Sequence, residues 1–298
     1  MMFTHELKNY TDEKNILKNE KLSKHCTFKT GGTCSCVVLP QNADELIKII
    51  SFLKNNNADF EIIGNGSNIL FADGHLDKII IKTTRLNNIS VLGNEITAES
   101  GARLSAVCNV ALENSLAGME CLNGIPGTMG GAVYMNAGAY GSEIKDVCIK
   151  TFYLDENLDI KEKEFDSHEF SYRHSFFSDK KCIILKSVLR LQKGDKSEIK
   201  AKMAEYIEKR NDKQPLNFPN AGSTFKRPEG YFAGKLIEDC GLKGYHIGDA
   251  CVSEKHSGFI VNKGNATTSD IIKLIEHVQK EVKDKFGVEL ETEVRIIK

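Results

Sequence analysis

The 298-residue chain carries 40 Lys and Arg against 41 Asp and Glu, a formal net charge of −1. That balance excludes the basic surplus of a nucleic-acid binder and the polybasic tail of a membrane-surface protein. No apolar run nears the length of a membrane span and the start, Met1-Met-Phe-Thr-His-Glu-Leu-Lys8, lacks a signal-peptide core, so a cytoplasmic protein of two or three domains is expected, without membrane insertion.

Residues 1–24 read as a polar arm, helical or loose. A strand opens after Lys29-Thr-Gly-Gly32, and the alternation over 34–39 reads as half-buried. Residues 40–54 have helical period, with Asn42 as the N-cap and acids in the first turn. Strands follow at 60–63, 78–82, 89–92 and 95–99, then a helix at 103–114. Further strands at 147–154, 160–165 and 183–191 are separated by polar turns. Strands and short helices alternate without regular βαβ spacing, which predicts an α+β protein with a mixed sheet and no doubly wound core.

A charged helix over 198–212 marks a domain boundary near 193/194. Beyond it come a proline-bearing loop at 214–219, a glycine-rich segment, a strand at 258–262 and a helix over 268–286. Thr267 and Asp270 form a capping box for that helix, and Gly287 stands where a C-terminal glycine belongs. In the final strand, 288–298, a two-residue period puts Val288, Leu290, Thr292, Val294 and Ile296 on the core face. Glu289, Glu291, Glu293 and Arg295 take the other. That other face is either solvated or, beside a cleft, a rigid support for a proton donor.

Nine cysteines, an odd and scattered set, suit reduced thiols better than a disulfide framework. Cys34-Ser-Cys36, with Cys26 nearby, is too tightly spaced for a zinc knuckle. The eight histidines show no paired ligand spacing either, so no metal site is expected.

The chemistry concentrates in two glycine loops. From Gly124 to Gly141 six of eighteen residues are glycine, a density that turns backbone N–H groups towards an anion such as a phosphate or pyrophosphate. The competing reading is a structural crossover with no ligand. No lysine lies in that stretch, which excludes the nucleotide-triphosphate loop. The other loop, Gly64-Asn-Gly-Ser-Asn68, lacks a third glycine and opens no helix, which excludes a dinucleotide fingerprint. Two loops about sixty residues apart remain, both at strand ends, as candidates to meet one long ligand with a pyrophosphate in its middle.

Six pieces occur in order: Thr27-Phe-Lys-Thr-Gly-Gly32, Gly64-Asn-Gly-Ser-Asn68, Gly124-Ile-Pro-Gly-Thr-Met-Gly-Gly131, Ser171-Tyr-Arg-His-Ser175, Asn220-Ala-Gly-Ser-Thr-Phe-Lys-Arg-Pro228 and Glu293-Val-Arg-Ile-Ile297. Together they resemble the UDP-N-acetylenolpyruvoylglucosamine reductase family from Thr27 to the C-terminus. The resemblance implies an FAD-binding region of the vanillyl-alcohol-oxidase type over 25–193, in two α+β subdomains of about 25–84 and 85–193. A substrate domain over 194–298 would follow, with residues 1–24 as an arm.

It also implies FAD and NADPH as cofactors, UDP-N-acetylglucosamine enolpyruvate as substrate, and a part in peptidoglycan precursor synthesis. By matching motif, Arg173 and Glu293 would stabilise developing negative charge and Ser223 would protonate carbon. Gly64, Asn65, Gly66, Ser67, Asn68, Gly124, Ile125, Pro126, Gly127, Thr128, Gly130, Gly131, Asn136 and Gly138 would hold the cofactor. Lys213 would meet the diphosphate and the nicotinamide cofactor, with Tyr140, Tyr172 and Arg227 beside the substrate.

Asn65 replaces a common family glycine, and asparagine tolerates left-handed φ well. Only about forty residues separate Arg173 from Lys213, which implies the shorter family form without an inserted tyrosine loop. Closure over the sugar nucleotide then falls to domain motion or to other side chains. Another flavin oxidoreductase of the same scaffold and a non-catalytic nucleotide-sugar binder are the alternatives.

Overall fold

The structure, a computed structural model, describes residues 3–298, and its local elements follow the periodicities above while their grouping does not. One compact unit takes Met1–Lys18, Cys36–Asn65 and Lys78–Arg210; the other takes Asn19–Ser35, Gly66–Asp77 and Asn211–Lys298. These units cut across the boundary expected at 193/194. The charged helix, observed at Lys196–Lys213, belongs to unit one as far as Arg210. Two early segments, containing Thr27 and Ser67, belong to unit two.

Unit one is built on a five-stranded antiparallel sheet in the order Ile160–Glu164, Cys148–Leu154, Ile183–Arg190, Glu95–Glu99, Ile89–Leu92. Helices Leu104–Glu113 and Met129–Tyr134 bury Leu104, Val107, Met129 and Val133 in the core it shares with Ile96 and Leu189. A second core gathers Leu46, Ile49, Ile50 and Leu53 of helix Ala43–Asn55 with Ile79 and Ile81. That helix starts where expected, because the Asn42 side chain accepts from the Glu45 N–H at 2.9 Å. Strand Phe60–Ile63 pairs in parallel with His75–Lys82, so the sheets are mixed as expected.

The N-terminal stretch is not a loose arm. It forms 3₁₀ turns at Glu6–Asn9 and Glu13–Asn15 and a strand at Ile16–Lys21, and Leu7 and Ile16 are buried. Strand Thr33–Val38 is also deeper than half-buried: Cys34, Cys36, Val37 and Val38 are all inaccessible.

Unit two packs helix Thr268–Phe286 on a three-stranded antiparallel sheet, His246–Ile247, Ala250–Val252 and Ile260–Asn262. The helix buries Ile271, Leu274, Ile275, Val278 and Val282, has its capping box in place and ends at left-handed Gly287. Its first turn is also held from afar, since the Asp73 carboxylate accepts from the N–H groups of Thr268 and Ser269 at 3.0 and 2.8 Å. The final strand is shorter than expected. Only Arg295–Ile297 is regular, pairing in parallel with Ile69–Phe71, while Thr292 bridges Phe225. The predicted alternation breaks there, and Ile297 is buried where Ile296 was expected to be.

Candidate functional site

In unit one the two glycine loops adjoin. The Asn65 amide donates to the Pro126 carbonyl at 2.7 Å, and a Cβ on Gly64 would run into Thr128 Oγ1. Asn65 does not adopt a left-handed φ; its side chain ties loop to loop. The left-handed residue is Gly66, in unit two, where a Cβ would strike the His25 carbonyl.

Not every amide of the second loop faces outwards. Met129 and Gly130 donate to the carbonyls of Ala102 and Ser100, both at 2.8 Å, so part of the glycine density serves packing. Helix Met129–Tyr134 follows directly from Gly127 and Thr128.

Sequence reasoning missed Arg210. Its Cδ lies 2.8 Å from where a Gly124 Cβ would stand, and burial lowers its pKa from the ordinary value. No carboxylate among the described residues forms an ion pair with it. Only the charged-helix pattern marked this position in the sequence, and that pattern reads as solvated.

Arg173 sits in a two-residue turn. Ser171 and His174 exchange backbone hydrogen bonds at 3.1 and 3.2 Å, and Arg173 itself is left-handed, φ +55°. A non-glycine residue in that conformation is held against a cost of about 1–3 kcal/mol. The holding groups are close by: the guanidinium donates to the Gly138 carbonyl at 3.3 Å and lies 3.9 Å from Glu143.

Behind them Asn136, fully buried, donates to Glu143 at 3.0 Å and to the Ser171 carbonyl at 2.9 Å, and accepts from the Lys145 N–H. Its amide is thus committed to the protein's own groups. Tyr172 stacks under the Arg173 guanidinium at 5.0 Å, and Tyr140 stacks on Tyr206 at 4.9 Å.

In unit two Ser223 lies between left-handed Gly222 and buried Thr224. The Gly222 N–H donates to the Asn220 side chain, which itself grips the carbonyls of Pro215 and Phe218. Thr224 accepts from the Glu293 N–H at 2.8 Å through its carbonyl and from the Ile260 N–H through its hydroxyl. The Asn68 amide donates to the Glu293 carbonyl at 3.0 Å, and the Arg295 N–H donates back to the Asn68 carbonyl at 3.1 Å. Ser223, Glu293 and the second half of the first glycine loop therefore share one main-chain frame. Lys213 ends the charged helix in an exposed position, and Arg227 is exposed too.

Unit two also has a cleft of about 420 Å³ with Gln214, Phe218, Lys255 and Lys263 on its walls. Lys255 bonds the Asn211 carbonyl near the end of the charged helix and Lys263 lies 4.3 Å over Phe218, so one cation braces the helix end and the other the loop after it.

Residues 214–297 match the model described as UDP-N-acetylenolpyruvoylglucosamine reductase, C-terminal domain, and residues 34–157 match an FAD binding domain. The UDP-N-acetylenolpyruvoylglucosamine reductase of Caldanaerobacter subterraneus subsp. tengcongensis is 50% identical over 292 residues, 98% of this chain and 97% of that protein. The chain belongs to this reductase family.

The reductase of the same name from Clostridium perfringens strain SM101 is 46% identical over 297 residues, covering 100% of this chain and 98% of its own. Among solved structures, the UDP-N-acetylenolpyruvylglucosamine reductase of Thermus caldophilus superposes with a TM-score of 0.81 at 29% identity, over 94% of this chain and 98% of that one. The reductase fold accounts for the α+β organisation, with an FAD-binding domain and a C-terminal reductase domain.

The segment between Arg173 and Lys213 is filled by strand Ile183–Arg190, the Gln192–Lys193 pair and the charged helix. All nine cysteines are free thiols, and burial lifts those of Cys34 and Cys148 to about 11, out of reach of ionisation near neutrality. Among the described residues no helix is long and apolar enough to cross a membrane.

Proposed function

We propose that Arg173, Ser223 and Glu293 carry the chemistry of this reductase and that the two glycine loops hold its FAD. The chain is an NADPH-dependent flavoprotein that reduces UDP-N-acetylglucosamine enolpyruvate to UDP-N-acetylmuramate, a peptidoglycan precursor. When bound, FAD would supply the hydride relay between NADPH and the enolpyruvyl double bond.

The unit-one cradle fits a dinucleotide flavin. Thr128 Oγ1 is buried without a hydrogen-bond partner, Gly64 leaves no room for a side chain above it, and Arg210 supplies positive charge beneath Gly124. Gly64, Asn65, Ile125, Pro126, Gly127, Thr128 and Gly131 line this cradle in the proposal; Gly66, Ser67 and Asn68 keep their proposed cofactor role within unit two. Gly124, Gly130 and Gly138 permit close packing. Asn136 positions the Arg173 turn instead of touching the cofactor.

Hydride arriving at the methylene carbon leaves negative charge on the adjacent carbon and its carboxylate. The planar fork of Arg173 suits that carboxylate in two-point contact, where a lysine would offer only a point charge. The Ser223 hydroxyl delivers its proton to the carbon, which is basic enough to take it. Gly222, free to turn left-handed, brings the main chain round to present that hydroxyl. Glu293 acts as a hydrogen-bond donor in its protonated form. Lys213 and Arg227 meet the diphosphate, and Tyr140 and Tyr172 flank the substrate.

One observation carries this reading: the Glu293 N–H bonds the residue after Ser223, and Asn68 of the first glycine loop bonds the Glu293 carbonyl, all within unit two. A cytoplasmic location is part of the proposal, because charged sugar nucleotide and NADPH must both be reached.

The test is the visible spectrum of the purified protein. Flavin bands that bleach under NADPH and return on adding the enolpyruvyl sugar nucleotide, without oxygen, support it. A colourless protein that FAD does not reconstitute overturns it.

A further inference from the structure

Thr224, the residue after Ser223, uses all three of its polar groups. Its carbonyl takes the Glu293 N–H at 2.8 Å, its hydroxyl takes the Ile260 N–H at 3.1 Å, and its own N–H donates to the Gly258 carbonyl at 2.9 Å. What holds Gly258 in turn is a side chain. The Gly258 N–H donates to His256 Nδ1 at 3.1 Å.

The imidazole is closely packed. A Cβ on Gly258 would stand 3.1 Å from His256 Cε1, and one on Gly234, in the short helix Ala233–Asp239, would stand 3.4 Å from the same atom. The ring thus fills space that two glycines leave, and Phe259 meets it edge-on at 4.9 Å. The His256 N–H donates to Ser253 Oγ at 3.3 Å and the His256 carbonyl accepts from the Phe259 N–H at 3.0 Å, which closes the loop around the ring. A ring that accepts at Nδ1 is neutral and carries its proton on Nε2.

We propose that His256 is a positioning residue for the proton donor: its neutral ring fixes Gly258, Gly258 fixes Thr224, and Thr224 presents the Ser223 hydroxyl to the substrate carbon. The same contact makes that step sensitive to acid, because a proton on Nδ1 sets a donor against the Gly258 N–H. Burial lowers the pKa of His256 from the ordinary 6.5, with its own carbonyl opposing; Lys243 adds to the lowering and Glu238 resists it. Those two charged groups pair with each other at 2.8 Å, so burial sets the direction and the sensitivity lies below pH 6.5. The inference rests on the reductase reading above, in which Ser223 gives the proton.

The experiment compares the wild-type holoenzyme with two variants. His256→Leu fills similar space without an acceptor, whereas His256→Asn keeps an acceptor, Oδ1, as many bonds from the main chain as Nδ1, and does not titrate. Stopped-flow absorbance separates the two half-reactions, and melting temperature and deuterium uptake over residues 220–226 are recorded. His256→Leu is expected to slow substrate reduction about ten- to a hundredfold while flavin reduction by NADPH stays within about twofold, because a small misplacement of a reacting group costs that much. His256→Asn is expected to stay within about threefold of wild type at pH 7.5, its acceptor being retained. As pH drops from 7.5 to 5, the wild-type rate of substrate reduction should fall relative to that of His256→Asn. Deuterium uptake over 220–226 should rise in His256→Leu only.

Substrate reduction at wild-type speed in His256→Leu overturns the proposal. So does a His256→Asn variant as slow as His256→Leu, or equal slowing of both half-reactions that tracks a lower melting temperature, because the ring then only fills space. A ratio of wild type to His256→Asn that stays constant down to pH 5 overturns the acceptor role of Nδ1. A wild-type holoenzyme that never reduces the enolpyruvyl compound refutes the reductase reading, while deuterium uptake in the two variants still decides whether His256 holds the Ser223 turn.

Discussion

Arg173 and Glu293, the two side chains proposed to face the developing anion, are held by opposite means. Arg173 stands in a strained left-handed turn and depends on side chains: Asn136 grips Ser171 and Glu143, and Glu143 lies against the guanidinium. Glu293 stands in an extended segment and depends on main chain, its N–H and C=O both bonded within unit two. The first arrangement fails when one buried amide is lost. The second leaves the carboxyl replaceable without disturbing what carries it.

The largest effect expected from this contrast is kinetic, on the main-chain side. Ser223→Ala should leave flavin reduction by NADPH within about twofold while slowing the return of hydride to substrate by about 10²–10⁴, because only the second half needs a proton donor. Stopped-flow absorbance separates the halves, and equal slowing of both would mean that the serine positions the flavin instead.

A middle-sized effect concerns stability. Asn136→Ala leaves buried partners unsatisfied and should cost about 1–3 kcal/mol in urea unfolding, with a loss of activity through Arg173. Glu293→Gln, on its main-chain support, should stay within about 0.5 kcal/mol of wild type. Equal costs for the two variants would break the comparison.

The smallest effect is a pH dependence inside the unit-one sheet. His168 is fully buried, its Nε2 2.9 Å from Thr151 Oγ1, and burial lowers its pKa below the ordinary 6.5. A depressed histidine favours the fold while neutral, so its contribution is complete above pH 6.5 and shrinks as pH falls towards the folded-state pKa. The melting-temperature gap between wild type and His168→Gln should therefore narrow from pH 7.5 to 5.5. A constant gap would mean that His168 keeps the same proton affinity folded and unfolded.

Local chemistry was legible in the sequence. Asn42, the Thr267–Asp270 box and Gly287 mark helix ends because capping involves neighbours three or four residues apart. Strand Phe60–Ile63 was legible from its apolar run. What failed was decided at a distance. Residues 19–35 and 66–77 join the C-terminal unit through pairings such as Ile69–Phe71 with Arg295–Ile297, which no local period records.

Ile297 replaces Ile296 in the core for the same reason, since the partner strand sets the register. In the candidate site, the Arg173, Ser223 and Glu293 motifs could be named from their order. Asn136 as a brace, Arg210 under Gly124 and His256 against Gly258 are visible only once side chains have neighbours.

The bond from Asp73 to the start of the C-terminal helix has a consequence for synthesis. On the ribosome, strand Ile69–Phe71 emerges early but must wait for its mate, Arg295–Ile297, so unit two closes only after that far later strand has been made. Until then an apolar strand edge stands open, and a nascent chain stalled short of residue 295 leaves it so, an invitation to chaperones or to another copy in the same state.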